Sequence, residues 1–590
     1  MASITKDKIA DTLESIAQML EIKGENVFKI RAYTNAARAL ETYTGDIVTA
    51  AGEGRLGEIP GVGKAIAEKI TELVATGQLA YFEILKAEFP PGVFEMFDLQ
   101  GLGPKKIKAL WDKLGITTIP ELEAASKDGR VAGLAGFGKK TADNILAAIQ
   151  SRAKHAGRFR LGSIAADAAR MVGELRELPE VLQATIAGSY RRRKEVVGDL
   201  DFIVATNAPA EVSDFFVKHE MVESVIAHGA TKSSVRFKSG IQADLRVVKN
   251  AEYPFALNYF TGSKEHNIIM RQRALARGWT LNEYRLAPLG NPKSEIRNPK
   301  EDPPQILDER GLYRALDLDY VEPELREDRG EIAAAENHKL PDLVELENLR
   351  GTFHNHTTAS DGRSTLAEMA AAAQELGLQY LGIADHSKSS YQAHGLETDR
   401  LLAQLEEIKA LNETFGGHFR IFAGSEVDIH KDGTLDFPDH LLERLDYVVA
   451  SVHSSFSLTE AEMTKRLIRA MENPHVTMLG HLTGRMLLAR DAYAVNIPAI
   501  IEAAAATGTL IELNANPRRL DMDWRWWPLA KEKGVRCVIN PDAHHTDHLQ
   551  FLHYGVGIAR KGWLTRADVV NCLPLGKIEA VLAAKRARKK

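Results

Sequence analysis

The sequence predicts a multidomain α+β protein with a helical N-terminal part, a central part with aspartate-bearing strands, and a C-terminal barrel of the (β/α)7 type. Three observations predict this organisation. A Gly-x-Gly turn recurs three times in the first 140 residues, and each copy precedes a helix-like segment. Apolar strand patterns in the middle of the chain carry aspartates. From residue 350 onward, short apolar strands that end in acids or histidines alternate with amphipathic helices.

Length and composition exclude several classes of protein. The 590 residues correspond to about three to five domains, and 44% hydrophobic with 26% charged residues excludes wholesale disorder and fibrous architecture. No run of about 18 apolar residues occurs, and Met1–Glu25 lacks a signal-peptide core, so we expect a cytoplasmic protein without membrane contact. Two cysteines, Cys537 and Cys572, fit a reducing compartment and exclude thiolate-rich metal sites. The net charge of −5 neither favours nor excludes nucleic-acid binding, because an acidic domain can mask a basic one.

Histidine is unevenly distributed along the chain. Residues 1–340 contain five of the 19 histidines, and the remaining 250 residues contain fourteen. The sequence therefore predicts two chemically different halves, with the boundary near Arg329–Glu347.

The three Gly-x-Gly turns have the pattern of helix-hairpin-helix motifs. Two glycines allow a tight turn that brings backbone N–H groups and a helix N-terminus next to a phosphate, which binds duplex backbone without reading sequence. One copy alone would often be a plain turn between helices, but three copies at spacings of about 35–40 residues favour DNA binding. None has the spacing of a nucleotide-binding P-loop. The predicted DNA-contacting glycines are Gly61, Gly63, Gly101, Gly103, Gly136 and Gly138.

Three aspartates lie on two apolar strand patterns in the middle of the chain. Asp199 and Asp201 share one face of a strand, and Asp244 lies on another, Ile241–Val248. Carboxylates crowded beside an apolar strand are costly unless a cation lies between them, and Mg²⁺ prefers oxygen ligands. A lone Asp-x-Asp is more often a turn or an ion pair, whereas three carboxylates with two metal ions form the usual site for in-line phosphoryl transfer.

Further motifs surround these aspartates: Gly188-Ser189, an arginine cluster from Arg191 to Arg193, and Leu257–Ser263. With them, residues 1–320 resemble a family X DNA polymerase of the polymerase beta type. The resemblance implies a lyase-like domain followed by fingers, palm and thumb, and Mg²⁺ or Mn²⁺ held by Asp199, Asp201 and Asp244, with Asp244 helping to activate the primer 3′-hydroxyl. It also implies contacts to the incoming deoxynucleoside triphosphate from Ser189, Arg192, Tyr259, Phe260, Gly262 and Asn267, and to the template strand from Arg271.

The lyase activity of such polymerases depends on a Schiff-base lysine. Lys69 falls at that position of the resemblance, whereas the basic residues that lyase-competent relatives carry after this helix are replaced here by Gln78–Tyr81. Lyase activity and simple binding of the 5′-phosphate at a gap are therefore both open.

Nine side chains of the C-terminal half offer nitrogen or oxygen ligands, and no sulfur ligand accompanies them. Every one except Asp361 falls at or just after a predicted strand end, where a (β/α) barrel places its site. Nine ligands suffice for about three ions, and the dominance of imidazole favours Zn²⁺ or Mn²⁺ over Mg²⁺. The set is His354, His356, Asp361, His386, Glu426, His453, His481, Asp542 and His544. The strands are predicted at Leu349–His354, Tyr380–His386, Ile421–Glu426, Tyr447–His453, Val476–His481 and Val535–Asp542.

This ligand pattern resembles the PHP (polymerase and histidinol phosphatase) domain over about residues 350–575. We expect Arg485 or Arg518 to bind substrate phosphates, although Arg518-Arg519 could equally be surface. The aromatic group Trp524, Trp526 and Trp527 either stacks on an unpaired base or packs in the core.

Together the two resemblances imply a DNA polymerase that fills short gaps during repair, including base excision repair. The barrel would hydrolyse phosphodiesters at 3′ ends or abasic sites. The alternatives are that the barrel is a small-molecule phosphatase, or that it is only structural in a scaffold that binds DNA ends.

We expect a nucleoid-associated monomer that binds gapped or nicked DNA and deoxynucleoside triphosphates. The expected domains are 1–90 (lyase-like), 91–160 (fingers), 161–250 (palm), 251–320 (thumb), 321–348 (linker), 349–575 (PHP) and 576–590 (basic tail).

Overall fold

The computed structural model describes residues 6–43, 47–59, 61–97, 99, 102–289 and 302–587. Gly101, one of the predicted DNA-contacting glycines, lies outside these residues. The chain divides into two compact units, Met1–Ala156 and Gly157–Lys590. Among the described residues, no helix combines the length and the apolar character needed to cross a membrane.

The first unit is helical. One apolar cluster, from Ile9 to Ile149, runs through it, so the predicted lyase-like and fingers regions share a core. Gly63 and Gly103 are the N-cap residues of α4 and α7, and Gly138 begins α9, as the motif predicts. The helices are α1 Lys6–Lys23, α2 Val27–Thr42, α3 Ile47–Gly52, α4 Lys64–Thr76, α5 Ala80–Ala87, α6 Pro91–Phe97, α7 Pro104–Leu114, α8 Ile119–Lys127 and α9 Gly138–His155.

The second unit begins with a mixed sheet whose strand order is β2-β4-β7-β6-β5. Strands β4 and β7 are parallel neighbours, and the other pairs are antiparallel. The elements of this region are β1 Phe159–Arg160, α10 Ala165–Glu177, β2 Val181–Ile186, α11 Gly188–Arg191, β3 Val196–Val197, β4 Asp199–Thr206, α12 Pro209–Lys218, β5 Val222–Ala227, β6 Lys232–Phe237 and β7 Gln242–Val248.

A second, mainly helical region follows and continues into the segment expected to be a linker. Within 321–348, Leu325 and Ile332 join the apolar cluster of this region, and the fully buried Arg326 donates to Glu309 at 2.6 Å. The segment is therefore packed. The elements are α13 Tyr253–Thr261, α14 Lys264–Ala276, β8 Trp279–Leu281, β9 Leu286–Pro288, α15 Glu309–Ala315 and α16 Glu331–Glu336.

Seven parallel strands in chain order, all in the described part of the chain, form the C-terminal barrel. A parallel bridge between Asn355 and Ala543 joins the segments that follow the first and last strands. The elements are β10 Gly351–Thr352, α17 Leu366–Glu375, β11 Tyr380–Ile383, α18 Thr398–Thr414, β12 Arg420–Asp428, α19 Asp439–Leu442, β13 Tyr447–Ser451, α20 Glu460–Glu472, β14 Met478–Leu479, α21 Ile497–Thr507, β15 Leu510–Asn514, α22 Trp527–Glu532, β16 Cys537–Asn540, α23 Leu552–Lys561 and α24 Leu575–Ala587.

Several expectations for this part of the chain are wrong in detail. The strands predicted to end at His354, His386, His453, His481 and Asp542 end two or three residues earlier, at Thr352, Ile383, Ser451, Leu479 and Asn540. The first strand ends at Thr352 and not at His354, because the Phe353 N–H bonds the Asn540 side chain instead of a neighbouring strand (3.1 Å). Strand β15 was not among the predicted strands. The supposed basic tail is helical to Ala587, and buried Lys585 in it donates to two backbone carbonyl groups at 2.7 Å.

Candidate metal centres of the palm and the barrel

The mixed sheet brings the three predicted aspartates together. The register of β4 and β7 pairs Asp201 with Asp244, and Asp199 lies two residues before Asp201 on the same face. Gln242 donates to Asp244 at 3.0 Å. Burial, followed by repulsion from Asp199 and Asp244, raises the pKa of Asp201 to about 7. Carboxylates that resist ionisation in this way need a cation, so the donor set fits a divalent metal.

Gly188 permits the closest approach in this site. Its φ of +64° is in the left-handed region, and a Cβ atom there would lie 2.3 Å from Asp201 Oδ2. The Ala187 N–H also donates to the Asp201 carbonyl oxygen at 2.7 Å. Half-buried Ser189 follows in the one-turn helix α11, so the glycine brings the serine close to the carboxylates.

Arg192 lies at the junction of several elements. Its Nε donates to Glu327 at 3.1 Å, and its Nη1 donates to the Thr261 carbonyl oxygen. A Cβ atom at Gly262, whose φ is +71°, would lie 3.0 Å from Arg192 Nη1. Burial and the charge of Asp244 raise the pKa of Asp199, and the charge of Arg192 partly offsets this rise. Arg192 is therefore near the carboxylates, as the predicted role requires.

Helices α13 and α14 carry the remaining predicted nucleotide and template contacts. The rings of Tyr259 and Phe260 meet edge to face at 5.1 Å, and the Arg246 guanidinium lies 4.9 Å from the Phe260 ring. Asn267 donates to the Tyr259 carbonyl oxygen at 2.7 Å, and its buried Oδ1 has no hydrogen-bond partner among the described residues. Arg271 Nε donates to the Asn267 carbonyl oxygen at 3.3 Å.

All nine predicted barrel ligands meet in one place. Glu426 is their centre, because Oε1 lies 2.9 Å from His481 and 3.2 Å from His453, while Oε2 lies 3.0 Å from His386 and 3.3 Å from His354. The nitrogen and oxygen atoms fall into four overlapping groups suited to hold metal ions: His356 with Asp361, His386 and His544; His354 with Glu426 and His481; His354 with His356 and Asp542; and His386 with Glu426 and His453. The geometry thus includes Asp361, which does not follow a strand.

Unpartnered nitrogens in this cluster test whether it fits metal ions. Buried ring nitrogens of His354, His356, His386 and His481 make no hydrogen bond with any residue that the structure describes. A buried polar atom without a partner is costly, whereas a ring nitrogen that ligates a metal is satisfied. Against the effect of burial, Glu512 and Glu426 raise the pKa of His354 well above its usual value. The carboxylates around His354 thus favour a positive charge at this place, which a metal ion would supply.

Two carboxylates behind the ligands were missed by the sequence analysis. Glu512 on β15 accepts from His354 Nδ1 at 2.6 Å and from the His481 N–H at 2.8 Å, and Asp428 accepts from His453 Nδ1. Such bonds fix the tautomer and orientation of a ligating imidazole. The alternation in Leu510-Ile511-Glu512-Leu513-Asn514 is typical of a strand, but it does not indicate that Glu512 faces His354.

The predicted phosphate contacts of the barrel need correction. Arg485 faces Glu195 and Asp523 at 3.3 and 3.1 Å, so it contacts the palm and not the ligand cluster. Arg519, in contrast, has its Nε 3.5 Å from Asp542, and its buried Nη1 has no hydrogen-bond partner among the described residues. Trp524 and Trp527 are buried in the barrel core, which favours packing over base stacking.

In the first unit, the five hairpin glycines that the structure describes are exposed, and Lys69 is half-buried. Gly136 and Gly61 have φ values of +88° and +92°, which permit the turns ahead of α9 and α4. Lys69 on α4 donates to the Ala65 carbonyl oxygen at 3.2 Å and lies 5.0 Å from the Tyr81 ring. The Lys69 ammonium is thus engaged by its own helix and by an aromatic ring.

Models of known families match five segments of the chain. The DNA polymerase beta palm model matches residues 163–250, and the DNA polymerase beta thumb model matches 256–327. A helix-hairpin-helix domain model matches 4–79, and a SAM-like helix-hairpin-helix tandem model matches 94–151. The PHP domain model matches 352–516.

Similar proteins match either nearly the whole chain or a part of it. Two proteins named probable phosphatase match a part: one from Thermoanaerobacter sp. is 29% identical over 40% of this chain and 94% of its own length, and one from Clostridium acetobutylicum is 27% identical over 32% and 78%. A protein of Bacillus subtilis named DNA polymerase/3′-5′ exonuclease PolX is 40% identical over 98% of this chain and 99% of its own length. This chain therefore belongs to the PolX family, in which a polymerase of the beta type is joined to a PHP domain.

Proposed function

We propose that this chain fills short gaps in DNA during repair, including base excision repair, and that its barrel processes 3′ ends or abasic sites by phosphodiester hydrolysis. The observation that carries the proposal is the presence of two separate ligand sets on one chain. The acids Asp199, Asp201 and Asp244 are adjacent in the mixed sheet, and nine barrel ligands converge around Glu426. Each set is of the kind that phosphoryl chemistry requires.

In the palm, the three aspartates would hold Mg²⁺ or Mn²⁺, which supplies charge neutralisation between the attacking and leaving oxygens. Asp244 receives the proton of the primer 3′-hydroxyl, which its position beside Asp201 supports. Ser189 and Arg192 bind the triphosphate. Tyr259, Phe260 and Gly262 contact the sugar side of the nucleotide, because they lie on one helix end close to Arg192.

The base pair is contacted from α14. The unpartnered Asn267 Oδ1 is available to the incoming base, and Arg271 on the next turn of the helix contacts the template strand.

In the barrel, the nine side chains would hold about three ions, Mn²⁺ or Zn²⁺, which supply hydroxide near neutral pH and polarise a phosphodiester. Glu426 bridges the histidine groups, and Glu512 fixes the orientation of His354. Arg519 binds the substrate phosphate through its guanidinium nitrogen Nη1, which has no hydrogen-bond partner among the described residues, while its Nε lies 3.5 Å from Asp542.

The hairpin glycines Gly61, Gly63, Gly103, Gly136 and Gly138, together with Gly101, bind the DNA backbone, and Lys69 contributes to 5′-phosphate binding at a gap. Lyase chemistry by Lys69 is the less supported alternative, because its ammonium bonds its own helix and lies over the Tyr81 ring. The proposed enzyme acts as a nucleoid-associated monomer in the cytoplasm.

A labelled one-nucleotide-gapped duplex with Mn²⁺ tests the proposal. Asp199→Ala with Asp201→Ala should abolish nucleotide addition and leave 3′-5′ exonuclease activity, and Glu426→Gln should do the reverse. Asp214→Ala is the matched control, because Asp214 is an acid of the same domain that pairs with Lys218 on the surface. Loss of both activities in either variant would contradict the assignment of separate sites.

The similarity to proteins named probable phosphatase favours a second candidate, in which the barrel acts on small phosphomonoesters. Incubation of the full chain with histidinol phosphate and with 3′-labelled DNA under the same conditions separates the two. Faster turnover of the monoester would support the second candidate.

A further inference from the structure

A fully buried lysine of the barrel reaches the nucleotide-binding loop of the palm. Lys561 is the last residue of α23, and its ammonium donates to the Arg192 carbonyl oxygen at 3.0 Å and to Glu327 Oε1 at 2.6 Å. Burial of a lysine is expensive unless its charge is paired and its donors are satisfied. Here both conditions are met by residues that precede the barrel in the chain, so Lys561 stabilises the contact between the domains.

Glu327 receives more than one positive charge. Its Oε1 also accepts from Arg192 Nε at 3.1 Å, and its Oε2 lies 3.3 Å from Lys194 Nζ. Arg192, Lys194 and Lys561 together with Glu327 carry a net charge of about +2 at neutral pH. Without Lys561 the same group would carry about +1, and Glu327 would neutralise Arg192 more completely.

Other contacts hold this arrangement in place. A Cβ atom at Gly557, one turn before Lys561, would lie 3.2 Å from Arg193 Cγ, so α23 packs directly on the arginine cluster. The Trp524 ring of the barrel lies 4.6 Å from Lys561 Nζ and 5.8 Å from Lys194 Nζ, where its face favours cations. The barrel thus supplies one of the three cations around the Glu327 carboxylate, the Lys561 ammonium, together with the Trp524 ring that lies beside it.

We propose that Lys561 is a positioning residue for nucleotide addition: the PHP domain uses it to neutralise Glu327, so that the positive charge of Arg192 stays available to the triphosphate. The proposal rests on the proposed function in one respect, namely that Arg192 binds the triphosphate. In this arrangement the PHP domain contributes to polymerisation through a contact that is independent of its own metal ligands.

The test is steady-state filling of a one-nucleotide gap by the full chain, with KM for the deoxynucleoside triphosphate and kcat measured separately and exonuclease rate measured in parallel. Lys561→Met should raise KM on the order of fivefold and leave kcat and the exonuclease rate within about twofold. The double variant Lys561→Met with Glu327→Gln restores the net charge of +2 and should bring KM back to within about twofold of the wild type. Lys531→Met, which removes an ion pair with Asp568 elsewhere in the barrel, is the matched control and should change neither constant.

Three results would overturn the proposal: an unchanged KM in Lys561→Met, a raised KM that Glu327→Gln fails to restore, or a parallel loss of kcat and exonuclease rate, which marks a structural role. Glu327→Gln alone provides an independent measurement if Lys561→Met does not fold. It should lower KM, and a raised KM would contradict the proposal. Arg192→Ala separates the two levels, because an unchanged KM in that variant refutes the triphosphate role of Arg192 itself.

Discussion

Gly188→Ala places a methyl group where the palm site has no room for one. The new Cβ would lie 2.3 Å from Asp201 Oδ2 and 3.3 Å from its Cγ, so the carboxylate must move by about 1 Å to reach ordinary contact distance. The left-handed conformation at φ +64° adds a cost of about 1–2 kcal/mol for any residue with a Cβ. A displacement of about 1 Å in a catalytic group costs on the order of 10²-fold in rate.

We therefore expect Gly188→Ala to lose about 100-fold in nucleotide addition and to keep its exonuclease rate, with both measured on one gapped duplex. Gly173→Ala is the matched control. Gly173 lies inside α10 with nothing within 4 Å of an added Cβ, so this substitution should leave both activities intact and add about 0.5–1 kcal/mol of stability. A wild-type rate of nucleotide addition in Gly188→Ala would refute the inference that the Asp201 carboxylate must occupy the space beside Gly188.

Two further predictions concern the metal ligands. Glu512→Gln replaces one of two accepting oxygens by an NH₂ group, so either His354 with Asn540 or His481 with Asn514 then faces a donor, and the negative charge behind His354 is lost. Exonuclease activity should need about 10–100-fold more Mn²⁺, with nucleotide addition unchanged, and an unaltered Mn²⁺ requirement would contradict the role given to Glu512. The pKa of Asp201 is about 7 in the metal-free protein, so below pH 7 this carboxyl group must lose a proton before a cation binds. The metal concentration that gives half-maximal nucleotide addition should therefore fall about tenfold per pH unit up to pH 7, and it should level off above that pH. A metal requirement that does not change between pH 6 and 8 would show that Asp201 is already ionised.

Motif spacing predicted the sites better than it predicted the strands. The nine candidate barrel ligands and the three palm acids could be chosen because each residue type suits a metal and nearly all of them lie on or just after an apolar strand pattern, and the structure gathers them. Strand ends were less predictable. Strand β10 ends at Thr352, because the Phe353 N–H bonds the Asn540 side chain of β16 instead of a backbone carbonyl group.

Residues that act through other residues could not be identified from the sequence. Glu512 lies on a strand that follows the alanine-rich helix α21, and only the fold shows that it faces His354. Lys561 and Arg192 are 369 positions apart in the chain, and their contact depends on how the barrel packs on the palm. A pattern read along the chain reports local periodicity and carries no information about such distant pairs.

The central claim is that one chain holds two separate centres for divalent cations. Anomalous scattering from crystals grown with Mn²⁺ tests it most directly. The account predicts peaks beside Asp199, Asp201 and Asp244 and a distinct group of peaks around Glu426. Peaks at one of these places only, in crystals saturated with Mn²⁺, would contradict it.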